Sequence, residues 1–163
     1  MSFHRLLKDK LVSRENARLR LNGLRLTGRK VVFTNGCFDI LHPGHVDYLC
    51  QARDLGHFLV LGLNTDVSVK RLNKAPNRPV NDEMSRAMVL AALSCVDMIV
   101  LFDEETPREL IQVLQPQVLV KGNDYKIEEI AGHDIVQANG GQVVTIPLLE
   151  GYSTTKLIKR ISS

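Results

Sequence analysis

Two imidazoles three residues apart, His42 and His45, close the densest run of reactive side chains in the chain: Thr34-Asn35-Gly36-Cys37-Phe38-Asp39-Ile40-Leu41-His42-Pro43-Gly44-His45. The run follows a short apolar stretch, Val31-Val32-Phe33-Thr34, and leads into a helix after Pro43. One imidazole then sits just before a helix and the other in its first turn. Free backbone N–H groups and the helix dipole favour an anion there, and a phosphate is the natural one. Gly36 and Gly44 are expected to let that phosphate approach the backbone.

Other clusters stand at comparable places. Gly151-Tyr152-Ser153-Thr154-Thr155 puts three hydroxyls at a helix start. An ordinary cap needs only one, so the run is a candidate second phosphate cradle. Lys121-Gly122-Asn123-Asp124-Tyr125 and Asn64-Thr65-Asp66 each follow an apolar run. Lys74, Arg78 and Arg86 are the cations best placed to neutralise a triphosphate. Zinc is a poor fit to His42, His45 and Cys37, since no second Cys or His pair completes a tetrahedral set. No Gly-x-Gly-x-x-Gly follows the first strand, and no P-loop is present.

The elements that must position these residues alternate. Helices are expected from Ser13 to Gly23 with Ala17, Leu21 and Leu24 on one side, and after Pro43 with Val46, Leu49 and Cys50 inward. Residues 72–81 read as a loop. A helix after Asn81-Asp82 would bury Met84, Ala87, Met88 and Ala91. Another starts at Thr106-Pro107-Arg108-Glu109 with Thr106 as cap, another runs over about 128–139, and the last starts at Ser153. Between them lie apolar runs at 31–34, 58–63, 98–102, 118–120 and 143–146. These runs are continuously apolar, which marks strands buried on both faces. The fold class is α/β, a doubly wound, Rossmann-like five-stranded parallel sheet. Its ligand crevice lies outside the carboxyl ends of the strands, at the switch point.

The length of 163 residues fits a single domain over 1–163, and 44% hydrophobic residues suffice for one core. Residues 1–30 form a basic, helical N-terminal extension with nine Lys/Arg against two Asp/Glu, while residues 31–163 hold twelve against sixteen. No aromatic residues interleave the basic charges, so a solvated helix is favoured over a nucleic-acid surface. No apolar run approaches the ~18 residues of a membrane helix. Three widely spaced cysteines argue against a disulfide framework and for a reducing cytoplasm.

Taken together, residues 30–161 resemble the nucleotidyltransferase superfamily marked by His-x-Gly-His and a late Ser-Thr-Thr helix. Within it the chain is most similar to the heptose 1-phosphate adenylyltransferases, which make ADP-heptose for lipopolysaccharide precursors. The resemblance rests on residues 33–42, Gly62-Leu63-Asn64-Thr65-Asp66, Arg78-Pro79-Val80-Asn81, Val96-Asp97, Val118-Leu119-Val120-Lys121-Gly122 and Gly151-Tyr152-Ser153-Thr154-Thr155. It departs from the family where Asn123 replaces a second Gly and Ala75 follows Lys74. Many members carry a preceding sugar kinase domain, and here a stand-alone transferase is expected.

The resemblance implies a reaction between ATP and a sugar 1-phosphate, heptose 1-phosphate, with Mg²⁺ arriving as the ATP complex and no dedicated metal site. His42, His45, Lys74 and Arg86 would be catalytic, the histidines donating to phosphate oxygens and the cations gripping the β- and γ-phosphates. Thr34, Asn35, Gly36, Phe38, Gly44, Lys121, Gly122, Asp124, Ser153 and Thr154 would bind the nucleotide. Asp39, Asn64, Asp66 and Arg78 would bind the sugar phosphate. Related cytidylyltransferases carry an Arg where Leu148 stands, which favours ATP over CTP. A homo-oligomer without nucleic-acid or membrane partners is expected. A cytidylyltransferase acting on glycerol phosphate or a similar alcohol phosphate remains the alternative. A non-catalytic nucleotide-sensing or RNA-binding module is the alternative from another class.

Overall fold

The computed structural model describes residues 2–72 and 77–161. Its sheet comprises β1 (Val31–Gly36), β2 (Phe58–Asn64), β3 (Met98–Phe102), β4 (Val118–Gly122) and β5 (Gln142–Ile146). All pairs are parallel and the order is β3-β2-β1-β4-β5. The order reverses between β1 and β4, which is the switch point of a doubly wound sheet.

Successive side chains of a strand point to opposite faces, and here both faces are covered. Val32, Leu59, Leu61, Ile99, Val118 and Val120 pack with α3 (Pro43–Asp54) and α5 (Glu83–Ala91). Val31, Phe33, Val60, Val100 and Leu119 pack with α2 (Arg14–Leu26), α6 (Arg108–Leu114) and α7 (His133–Ala138). Two apolar layers on one sheet explain the continuous apolar runs, since each position is inside whichever way it points. The remaining helices are α1 (Phe3–Lys10), α4 (Asp66–Arg71) and α8 (Thr154–Ile161). No helix among the described residues is long and apolar enough to cross a membrane.

Several elements differ from the sequence expectations for identifiable reasons. Ser13 caps α2 as expected, but the helix runs through Gly23 to Leu26, and Gly28 (φ +70°) lies just beyond it. Arg25 extends the last turn by donating to the Leu114 and Gln115 carbonyls. In α5 the inward residues are Arg86, Ala87, Leu90 and Ala91, while Met84 and Met88 are exposed. The face is rotated because Arg86 is anchored inward by three hydrogen bonds. In α3, Cys50 faces outward and Tyr48 inward. Pro107, not Thr106, occupies the cap position of α6, and no side chain caps it. The expected helix over 128–139 is broken into a 3₁₀ turn (Ile127–Glu129) and α7. Gly132 (φ +86°) makes the break, where a Cβ would lie 2.7 Å from Ile111.

The basic extension lies against the sheet edge. Lys10 Nζ donates to the Ala91 and Leu93 carbonyls at 2.8 and 3.0 Å, and Val12 N–H donates to the Ile99 carbonyl at 3.1 Å. A lysine at orphan helix carbonyls is favourable for the macrodipole, so at least one of the basic residues is used internally.

Candidate active site

The carboxyl ends of β1 and β4 open into a cavity of about 650 Å³. On one side stands the start of α3. His42 occupies its cap position, where its Nδ1 accepts from the His45 amide at 3.3 Å. The two imidazoles stack with centroids 3.7 Å apart and planes 15° from parallel. The Phe38 ring meets His45 edge-on at 5.1 Å. Phe38 itself has a left-handed backbone (φ +45°), a conformation that costs energy for a bulky residue and that packing must maintain.

Beside any approach of a phosphate to the backbone, Gly36 and Gly44 leave room for neighbouring side chains. A Cβ on Gly36 would come within 2.8 Å of the Phe38 ring. A Cβ on Gly44 would lie 3.1 Å from Tyr152 Cβ and 3.2 Å from His42 Nδ1. The glycines thus admit side chains that shape the site. Tyr152 stacks on His42 at 6.1 Å and ties the start of α8 to the start of α3.

The electrostatics keep both imidazoles neutral at pH 7. Burial lowers the pKa of His42. Burial lowers His45 to about 4, helped by repulsion from His42 when that ring is protonated and from Arg78, and opposed by a backbone hydrogen bond at Ile40. His45 Nδ1 is enclosed and has no hydrogen-bond partner among the described residues.

Beneath the cavity wall lies a buried ion pair. Arg78 Nε donates to Asp39 Oδ2 at 2.9 Å, and Asp39 Oδ1 accepts from the Val80 and Asn81 amides at 2.8 and 3.0 Å. Burial pushes the Asp39 carboxyl up, but those amides and the Arg78 guanidinium outweigh it and hold it below its ordinary value. Asp39 does not line the cavity, and both its oxygens are occupied, so it serves Arg78 instead of contacting a ligand. Arg78 does line the cavity.

Arg86 also departs from its expected place. Its side chain is fully buried. It donates to the Asn81 carbonyl at 3.0 Å, the Cys37 carbonyl at 2.7 Å and Asp66 Oδ1 at 2.8 Å. These bonds use three of its five N–H groups, and Arg86 does not line the cavity, so the expectation that it grips phosphates is corrected to an internal clamp between α5, α4 and the β1–α3 loop. Asp66, expected at the sugar phosphate, is its partner and does not line the cavity. Thr34 lies below the floor, where its hydroxyl pairs with Tyr48 Oη at 2.8 Å and donates to the Val120 carbonyl at 3.1 Å. Lys74 lies outside the described residues.

The other expected residues converge. Asn35, Gly36, Phe38, His42, Gly44, His45, Asn64, Lys121, Gly122, Asp124, Ser153 and Thr154 all line the one cavity with Arg78. Lys121 Nζ reaches the Asn35 carbonyl at 3.5 Å and lies 5.7 Å from the Tyr125 ring centroid. Sequence reasoning missed Glu105, Thr106 and Pro107, which line the cavity from the end of β3. The rule that ligands sit beyond strand ends applies there too, but in the sequence Thr106 and Pro107 read as a helix start and Glu105 carries no signal of its own. Tyr125, Tyr152 and Leu148 also line it. Among the described residues no group of three or more His, Cys, Asp or Glu could hold a metal ion.

Such a site offers helix N–H groups, neutral imidazoles, hydroxyls and cations to a phosphorylated ligand, without a preformed nucleophile. The chain is 54% identical over 162 residues to the bifunctional protein HldE of Syntrophotalea carbinolica, covering 99% of this chain and 33% of that protein. It is 54% identical over 154 residues to the HldE of Caulobacter vibrioides, covering 94% and 32%. The chain therefore spans about a third of the length of the curated relatives it matches. A lipopolysaccharide core biosynthesis protein from Thermoplasma volcanium superposes with a TM-score of 0.62 at 30% identity, covering 77% of this chain and all of that one. A pantoate-beta-alanine ligase from Francisella tularensis, at 13% identity and a TM-score of 0.59, shares the fold over 93% of this chain and 76% of its own. Residues 33–160 match the family described as cytidylyltransferase-like, and the chain belongs to that nucleotidyltransferase family.

Proposed function

We propose that the protein is an adenylyltransferase that converts ATP and D-glycero-D-manno-heptose 1-phosphate to ADP-heptose and pyrophosphate. The observation that carries this reading is the meeting of His42 and His45, at the start of α3, with Ser153 and Thr154, at the start of α8, around one cavity at the switch point. A phosphate oxygen of the sugar phosphate attacks the α-phosphorus in line. The new P–O bond forms as the bond to the β-phosphate oxygen breaks, and pyrophosphate leaves. The protein contributes positioning and neutralisation of developing charge. His42 and His45 donate to the phosphate oxygens, Ser153 and Thr154 cap the triphosphate, and Asp124 orients the ribose. With Arg86 clamped inside, the phosphate cations are Arg78, Lys121 and Lys74. Mg²⁺ enters with the nucleotide as part of the substrate complex, since Asp39 has no free oxygen to offer it. The heptose assignment rests on the sequence resemblance, and the lipopolysaccharide core biosynthesis named for the Thermoplasma neighbour is compatible with it. Cytoplasmic action fits three free cysteines.

The family description favours a second reading, a cytidylyltransferase. Against it stands Leu148, which lines the cavity and packs beside Gly122 where related cytidylyltransferases have an Arg. A leucine cannot make a bidentate phosphate contact. The test is pyrophosphate release from ATP or CTP with a panel of sugar 1-phosphates and glycerol 3-phosphate. ATP with heptose 1-phosphate is expected to give the highest kcat/KM. A clear preference for CTP would sink the heptose assignment and leave nucleotidyl transfer standing.

A further inference from the structure

The side-chain amide of Asn35 lines the cavity, yet its Oδ1 is enclosed and has no hydrogen-bond partner among the described residues. An enclosed carbonyl oxygen without a donor carries an unrecovered desolvation cost, and native structures rarely keep one without a reason. A turn of the amide about its last side-chain bond would bring Oδ1 into the cavity that Asn35 lines, where a donor arriving with the ligand can meet it.

The strand pattern fixes which side of the crevice Asn35 serves. Val31 and Phe33 pack on the α2 and α6 layer, and side chains alternate along a strand. Asn35 therefore points to that same side, whereas Thr34 meets Tyr48 of α3 on the other. The same alternation puts Lys121 of β4 beside it, two residues beyond the Leu119 that flanks Phe33, while its direct partner on β2 is Gly62, and Asn64 stands two residues further along that strand. Asn64 Nδ2 already donates to Ser68 Oγ at 2.9 Å. Asn35 has no such engagement.

The chemistry of the missing partner follows. Ionised phosphate oxygens are acceptors and cannot satisfy Oδ1. A hydroxyl can, and the adjacent Nδ2 of the same amide can donate to a second oxygen next to the first. An amide presenting one acceptor and one donor side by side matches two neighbouring ring hydroxyls. We propose that Asn35 is a specificity-determining residue that reads a vicinal diol of a sugar ring, accepting from one hydroxyl and donating to the next. This inference rests on the reading of the site as joining a nucleotide to a sugar phosphate. Both reactants carry such a ring, so the diol belongs either to the ribose or to the transferred sugar.

The experiment measures kcat/KM for the wild type, Asn35→Ala and Asn35→Asp with intact ATP and heptose 1-phosphate. It then repeats each measurement with 2′-deoxy-ATP, 3′-deoxy-ATP and sugar 1-phosphates lacking one ring hydroxyl. Asn35→Ala is expected to lose about 10- to 100-fold on the intact pair, the effect of removing one hydrogen-bonding partner. That loss should shrink towards none with the analogue lacking the hydroxyl that Asn35 reads, because the two deletions remove one interaction. The ribose analogues or the sugar analogues, not both, should show this, which assigns the diol. Asn35→Asp preserves shape and acceptor, so it guards against a misfolded alanine variant and should show the same pattern at smaller amplitude. An unchanged loss across all analogues, or no loss at all, overturns the proposal while wild-type turnover keeps the transferase reading. A wild type that turns over no pair removes both.

Discussion

Asp39 holds Arg78 from below, Oδ2 to Nε at 2.9 Å, while its own carboxylate is fully shielded and its other oxygen binds the Val80 and Asn81 amides. The pair fixes a cation in the cavity wall and pins residues 78–81 to the β1–α3 loop. Asp39→Ala should destabilise the protein by about 3 kcal/mol, the lower end for breaking a buried pair, because Arg78 still reaches the cavity. Its KM for the sugar phosphate should rise. Asp39 has a folded pKa below its unfolded one, so its stabilisation is full at neutral pH and is lost as pH falls below about 4. Urea denaturation at pH 7 and pH 3 checks this, and the gap between wild type and Asp39→Asn should narrow at the lower pH.

Arg86 and Asp66 form the second internal clamp. Asp66→Ala should leave a buried charge without its carboxylate and cost about 3 kcal/mol or more in unfolding free energy. Arg86→Lys cannot reproduce three directed bonds and should lower the unfolding midpoint, with the affinity of the folded protein for ATP changed little. Calorimetric ATP titration beside thermal melting separates these effects. Wild-type melting with a large loss of ATP affinity would restore Arg86 to the phosphates.

His45 titrates near 4 in the protein, well under its ordinary value of 6.5. The unfolded chain therefore binds a proton that the folded chain refuses between those values, and stability contributed by the neutral imidazole falls as pH drops through that window. A bound triphosphate adds negative charge beside the ring and raises its pKa. ATP binding near pH 5.5 should then take up protons, seen as a dependence of the calorimetric enthalpy on buffer ionisation enthalpy. His45→Gln should reduce that dependence. An equal uptake in the variant would place the proton elsewhere.

The fold was legible because every strand is covered on both sides, which leaves a continuous apolar run that a half-exposed strand would not have. The start of α3 was legible because His42, Pro43 and Gly44 are local signals of a helix start. Arg86 was not, because a cation's sequence position says nothing of which carbonyls lie across the loop from it. The same holds for Asp39, whose partners sit about 40 residues away, at Arg78 to Asn81. Helix faces were misjudged where a buried polar residue set the rotation, as Arg86 does for α5. Tyr152 was quoted within its cluster, but its stacking on His42 depends on how α8 meets α3, a relation between distant segments.

The central claim is that His42 and His45 stabilise the transferring phosphate, and the direct measurement is kcat for His42→Ala and His45→Ala beside their dissociation constants for ATP. Each variant is expected to lose about 10²–10³ in kcat, the size of removing one preorganised donor to a developing charge. ATP affinity should change far less, because the contact strengthens only in the transition state. Near-normal turnover in both single variants would contradict the account.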